Sequence, residues 1–284
     1  MDSNFFGLFL VEKKVLTKEQ LNEATDYQRK NNKLTGNIAV EKGYMTEKQV
    51  EEIFFLQKQT DKKFGDIALE KEIITKKDLQ ELLLIQAKNR IYLGEVLVKK
   101  GFISGSRIYE YLNEYARESE KKKIIFQQQM ESVEIKNIFH PALKLTLNFF
   151  YRMGLNAKPD LLVINNKISE LTGKTDTYNF FAEQKIDRKK YFFGLIIPVD
   201  SFNTIAEKIT GKTKKQLSCD ERVELFAETV FLINSILCKE LKQKGYNAKY
   251  KITANEPSSK SSSAFVRVQT TAAHFYIAYY WEVK

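Results

Sequence analysis

Apolar residues return along the first 115 positions in one order, four times over. A short apolar segment comes first: Leu10-Val11, Ala39-Val40, Ala68-Leu69 and Leu97-Val98. A break follows at Lys14, Gly43, Glu72 and Gly101, two of them the glycine expected just past a helix end. Then comes an apolar pair, Val15-Leu16, Tyr44-Met45, Ile73-Ile74 and Phe102-Ile103. After it Leu21, Val50, Leu79 and Ile108 are followed three residues on by Ala24, Ile53, Leu82 and Tyr111, and one further by Thr25, Phe54, Leu83 and Leu112. Spacing of i, i+3, i+4 puts one apolar stripe on a helix. The pattern predicts a short helix, a tight turn and a longer helix, repeated.

The repetition has a fixed step. Gly7, Gly36, Gly65 and Gly94 stand 29 residues apart; so do Gln28, Gln57 and Gln86, whose next member is Tyr115, and Thr17, Thr46, Thr75 and Ser104. A constant period of this size marks an array of structural repeats. One helix pair cannot bury its stripe alone, so neighbouring repeats are expected to stack. The hydroxyl comb predicts the start of each longer helix, because Ser or Thr there accepts from an orphan N–H of the first turn. Gln20 and Gln49 complete capping boxes; Asp78 is a weaker match and Arg107 breaks the pattern.

Beyond residue 115 the combs stop. The charged run Ala116 to Lys123 lacks Gly and Pro, which predicts a helical connector over 116–137 and a second domain over 138–284. There, Phe139 to Phe150 reads as an amphipathic helix with Pro141 near its start, and Asn156 to Ile168 as strand-like. Residues 169–190 are polar and left unassigned. Tyr191 to Val199 reads as a strand, Asp200 as the cap of a helix closed by Gly211, and Ser218 with Glu221 as a capping box opening the longest helix, stopped by Gly245. Lys249 to Thr253, Phe265 to Thr270 and Phe275 to Val283 read as strands, with a loop over 256–263. The fold class expected is multidomain: an all-α helical repeat array over 1–115, then an α+β domain.

Composition changes little. The chain has 284 residues, 43% hydrophobic and 29% charged, as folded domains do. Its formal charge of +10 invites an anionic partner, but no nucleic-acid motif accompanies it, and lysines alternate with glutamates on the repeated faces. A lysine-rich surface without DNA binding is the expectation. Nothing approaches the ~18 apolar residues that span a membrane, and the apolar start lacks the basic flank of a secretory signal. Two cysteines, Cys219 and Cys238, fit reduced thiols in a cytoplasm, and with only His140 and His274 they offer no zinc set.

The strings LGEVLVKKGFISGSRIYEYLNEY and KFGDIALEKEIITKKDLQELLLIQ resemble the MshEN, or secretion-ATPase N-terminal, family. Its motif runs Arg-Leu-Gly, Leu-Val, Gly, an apolar pair, two leucines and a final Gln, in tandem copies separated by five residues, as at Arg29 to Lys33. The resemblance implies cyclic di-GMP as ligand, with Lys63, Gly65, Gln86, Leu93 and Gly94 as the matching residues and no other cofactor. The arginine position holds Phe5, Leu34, Lys63 and Tyr92, so no copy keeps the bidentate fork. The other reading of the same residues is structural: glycine for helix packing, glutamine at a helix end.

The strings FFGLIIPVDSFNTIAEKITG and DERVELFAETVFLINSILCKEL, with the order of elements around them, resemble the CheX-like (CheC/CheX/FliY) chemotaxis phosphatase family. That family sets a Glu-x-x-Asn pair on its long helix against a phosphorylated response regulator; the acid fixes the regulator's lysine and the amide positions the attacking water. Here the acid position is Glu228 and the amide position is Phe231. A helical wheel places Glu224, Glu228, Phe231 and Ser235 opposite the apolar arc, and Asn234 at its edge, about 120° from Glu228. The resemblance therefore implies a docking face at Glu224, Glu228 and Phe231 rather than catalysis. The expected function is a non-catalytic cytoplasmic signalling effector or scaffold of chemotaxis or motility, with a response regulator as partner or a homodimer through this domain. The alternatives are an active phosphatase of a phosphorylated regulator, and a scaffold of a secretion or pilus system that binds no nucleotide.

Overall fold

The computed structural model describes residues 3–60, 62–173, 175–253, 257, 261–270 and 273–282. The chain divides into two compact units, Met1–Lys121 and Lys122–Lys284.

The first unit is helical throughout. Short and long helices alternate: α1 (Ser3–Glu12), α2 (Lys18–Asn31), α3 (Thr35–Glu41), α4 (Glu47–Gln59), α5 (Phe64–Glu70), α6 (Lys76–Lys88), α7 (Leu93–Lys99) and α8 (Gly105–Ser132), which runs on into the second unit. Thr17, Thr46 and Thr75 cap α2, α4 and α6. Each hydroxyl accepts from the N–H three residues on, and Gln20, Gln49 and Asp78 return the bond to the cap N–H. Asp78, the weaker match, makes a full box. The four breaks are all left-handed, at φ 57° (Lys14), 75° (Gly43), 54° (Glu72) and 71° (Gly101). Two residues with side chains thus occupy a backbone region that favours glycine.

The glycine comb sets helix approach. A Cβ on Gly7 would lie 2.3 Å from Leu21, on Gly36 2.9 Å from Val50 and on Gly65 2.8 Å from Leu79, whereas on Gly94 it would meet only Ile108, at 3.5 Å. Each glycine of a short helix faces the first stripe residue of the long helix that follows.

The order of packing differs from sequential stacking. One core joins α1, α2, α7 and α8 through Phe6, Leu10, Leu21, Leu93, Leu97 and Tyr115. The other joins α3 to α6 through Ile38, Val50, Ile53, Ile67 and Leu82. The first short–long pair therefore packs with the fourth, and the second with the third. The glutamine comb follows that pairing. Gln28 donates to the Ile91 carbonyl at 2.9 Å, Gln86 to that of Lys33 at 3.1 Å and Gln57 to that of Lys62 at 3.3 Å. Each acceptor lies three residues before a comb glycine of the partner pair. Asn32 exchanges two bonds with Ile91, at 2.9 and 2.8 Å. Lys100–Glu23 and Lys71–Glu52 ion pairs repeat the same pairing. Tyr115, in place of the fourth glutamine, packs on Phe6 and Phe9.

The second unit lays helices on a six-stranded antiparallel sheet. Its elements are α9 (Lys136–Arg152), β1 (Ala157–Ile164), α10 (Ile168–Thr172), β2 (Thr177–Ile186), β3 (Lys189–Pro198), α11 (Val199–Thr210), α12 (Cys219–Gln243), β4 (Ala248–Thr253), β5 (Ser262–Thr270) and β6 (His274–Trp281). Strand order is β1-β5-β6-β3-β2-β4. Phe139, Phe150, Phe202, Phe226 and Leu237 of α9, α11 and α12 bury against Phe193, Leu195, Ile277 and Tyr279 of the sheet. A smaller cluster of Phe181, Ile196, Phe265 and Tyr276 lies on the opposite face, under Ile168 and Leu171 of α10.

Several expectations need correction here. The unassigned stretch 169–190 holds most of α10 and all of β2. Helix α11 starts at Val199 behind Pro198, with no side-chain cap, and Asp200 sits inside its first turn. Pro141 lies inside α9, which begins earlier than its apolar pattern. Of the expected loop over 256–263, residues 256 and 258–260 fall outside the described residues, as does Val283. Among the described residues no helix is long and apolar enough to cross a membrane.

Candidate functional site

Helix α12 carries the candidate docking face. Its start is secured by Ser218, which accepts from the Glu221 N–H while the Glu221 carboxylate accepts from the Ser218 N–H. From there the apolar positions turn inward, with Phe226, Val230, Ile233 and Leu237 at 0–1% exposure. Glu224, Glu228, Phe231 and Ser235 are exposed on the outer side. Phe231 is 49% exposed, and one of its sides rests edge-on against Tyr250 of β4, ring centroids 5.6 Å apart. The chain's own tyrosine covers part of the ring and leaves the rest to solvent.

The nearby amide is committed elsewhere. Asn234 is fully buried rather than at the helix edge. Its Nδ2 donates to the Val230 carbonyl at 2.7 Å, and its Oδ1 accepts from Gln184 Nε2 at 2.5 Å. Gln184 Oε1 in turn accepts from the Tyr279 hydroxyl, whose pKa burial pushes well above its ordinary value. The three residues form a closed polar network between α12, β2 and β6. Sequence reasoning missed Gln184 and Tyr279, because β2 was unassigned and a lone polar residue in a strand gives no local sign of its partner.

In the helical unit the five candidate ligand residues are not drawn together. Lys63 is exposed at the start of α5, and Gly65 packs on Leu79. Gln86 donates to Lys33 and lies 3.1 Å from the Thr35 hydroxyl. Leu93 is fully buried in the other core, with Gly94 beside it facing Ile108. No cluster of three or more His, Cys, Asp or Glu residues suited to a metal occurs among the described residues. Cys219 is exposed and Cys238 buried, both as free thiols, and burial pushes the Cys238 thiol up.

No family model and no curated protein matches the chain. The chain is similar to several solved structures over about half its length. One is a CheC-like chemotaxis protein from Shewanella oneidensis MR-1: 15% identity, 51% of this chain and 98% of that one, TM-score 0.43. Another is the chemotaxis protein CheX from Vibrio vulnificus: 11% identity, 51% and 99% coverage, TM-score 0.40. A third is the CheX–CheY–BeF3–Mg2+ complex from Borrelia burgdorferi: 11% identity, 51% and 96% coverage, TM-score 0.38.

Proposed function

We propose that the second unit is a CheX-like signalling domain that binds a response regulator without acting on it. The observation that carries the reading is the exposed outer face of α12, where Phe231 stands beside Glu224 and Glu228 while Asn234, the amide three positions after Phe231, is held by Gln184. An exposed aromatic rimmed by acids suits docking. Catalysis of the family's kind needs an amide on the same face as the acid, and Asn234 is turned inward. The helical unit is read as a structural module that binds no nucleotide, because Gln28, Gln57 and Gln86 direct their amides to backbone carbonyls.

The test is sedimentation of the full chain with a purified chemotaxis response regulator, activated by beryllofluoride. A complex is expected with the wild type and none with Phe231→Asp. If Phe231→Asp leaves both the complex and the oligomeric state unchanged, that face is not the site. Release of phosphate from the phosphorylated regulator, compared between wild type and Glu228→Ala, is expected to be equal; a loss in the variant would mean phosphatase activity. Calorimetry with cyclic di-GMP is expected to give no heat at micromolar protein, and heat that vanishes in Lys63→Ala and Gln86→Ala would make the helical unit a receptor.

A further inference from the structure

Three lysines stand in one row across the sheet of the second unit. Lys185 of β2 is paired with Lys190 of β3 on one side and with Lys249 of β4 on the other. Residues directly opposite in antiparallel strands project from the same face, and like charges so placed destabilise the sheet. The next row holds Phe192, Glu183 and Lys251. Glu183 serves two cations, Lys190 at 3.1 Å and Lys251 at 3.5 Å. Lys185 and Lys249 are exposed, opposite each other, and without an acidic partner among the described residues. Arg188 and Lys189, in and beside the β2–β3 turn, add exposed positive charge at the same end.

Strand β4 lies at the end of the sheet, with β2 on one side and no strand on the other among the described residues. Alongside it, toward the last turns of α12, opens a cleft of about 720 Å³ lined by Lys239, Lys242, Ala248, Lys249 and Tyr250. Lysines in a last helical turn answer the helix dipole, which accounts for Lys242 but not for the row on the sheet. The opposite edge is guarded differently. In β1 the register slips between Pro159 and Leu161, and Asp160 there is paired with Arg267 at 2.5 Å; β4 has neither proline nor slip.

We infer that the free edge of β4 takes an extended acidic segment of another protein as an added strand. Main-chain hydrogen bonds to the edge supply affinity, and alternate side chains of an added strand project to both faces. On one face they meet the Lys185–Lys249 row and Lys251; on the other they meet Lys239 and Lys242 across the cleft. The same lysines bar a second copy, whose β4 would set lysine against lysine. The cleft adjoins the Phe231 face through Tyr250, and the variants below leave both residues in place, so that failure here is distinguishable from failure of docking at Phe231.

The probe is a short fluorescein-labelled oligoglutamate peptide, which carries acid on both faces of an extended strand, titrated into the full chain by anisotropy. Binding that weakens with salt is expected. Lys185→Glu/Lys249→Glu and, separately, Lys239→Glu/Lys242→Glu are each expected to weaken it by about tenfold or more. N-methylation of every peptide residue, which removes all main-chain donors and keeps the charge, is expected to weaken it as much. Equal binding by the N-methylated peptide or by oligothymidylate would show a polyanion surface and overturn strand addition. Absent binding, binding indifferent to both charge-reversed variants, or a dimer forming through β4 would also overturn it.

Discussion

Gln184 and Asn234 meet amide to amide inside the second unit, 2.5 Å apart and both fully buried. Tyr279 completes the set, so each polar group finds its partner away from water. Removing one member strands the others, at a cost of ~1–3 kcal/mol for each unsatisfied group. Asn234→Ala is expected to destabilise the chain by about 2–3 kcal/mol in urea unfolding, with Phe231→Asp close to neutral, since Phe231 is half exposed. Equal effects would mean that the network contributes nothing.

The glycine comb yields substitutions of opposite sign. Alanine in place of a helical glycine is worth ~1 kcal/mol in propensity. At Gly94 the new methyl meets only Ile108, at 3.5 Å, so Gly94→Ala is expected to raise the melting temperature. At Gly7 it would press to 2.3 Å on buried Leu21, and Gly7→Ala is expected to lower it. Matching shifts in the two variants would detach the comb from helix approach.

Lys14 and Glu72 hold left-handed backbone that Gly43 and Gly101 hold at the equivalent breaks. Left-handed geometry costs a residue with a side chain ~1–2 kcal/mol, partly offset by the entropy glycine loses on folding. Lys14→Gly and Glu72→Gly are each expected to stabilise by about 0.5–1 kcal/mol. Gly43→Ala and Gly101→Ala should do the reverse, read by differential scanning calorimetry.

The lysine row predicts a trade between stability and binding. Lys185→Glu sets an acid between Lys190 and Lys249, exchanging two repulsions for two attractions of ~0.2–1 kcal/mol each. It is expected to raise the melting temperature by a few degrees, at roughly 2–4 °C per kcal/mol, while losing the acidic peptide. A fall in melting temperature would show that the row carries no repulsion.

Acid should loosen both units through their caps. The Thr75 hydroxyl and N–H hold the Asp78 carboxyl below its ordinary range, and the Ser218 N–H and hydroxyl do the same for Glu221. A carboxyl depressed in the folded state contributes stability above its unfolded pKa, and loses it as pH falls through the folded value. The urea midpoint is therefore expected to drop from roughly pH 5 downward, and less steeply in Asp78→Asn and Glu221→Gln, whose side chains no longer titrate there. A wild-type midpoint flat across that range would exclude the caps as a source of acid sensitivity.

The local rules were legible along the chain. The 29-residue step marked the helix starts in the first unit, because capping and stripe formation involve residues three or four apart. The outward face of α12 could likewise be read from its wheel, since helical phase depends only on the residues of that helix. What lay beyond reach was pairing. Nothing within Gln28 or Gln86 says that their amides go to Ile91 and Lys33, so sequential stacking was expected where the first pair packs with the fourth. Asn234 looked like an edge residue until β2 supplied Gln184. Lys185 and Lys249 looked like separate surface charges until the register set them face to face. By itself the sequence determined which side of each helix is apolar, where helices begin, and where the amide position holds phenylalanine. Tertiary structure decided which faces meet, because those choices rest on contacts between residues 50 to 64 positions apart, where chain closure and packing outweigh any local preference.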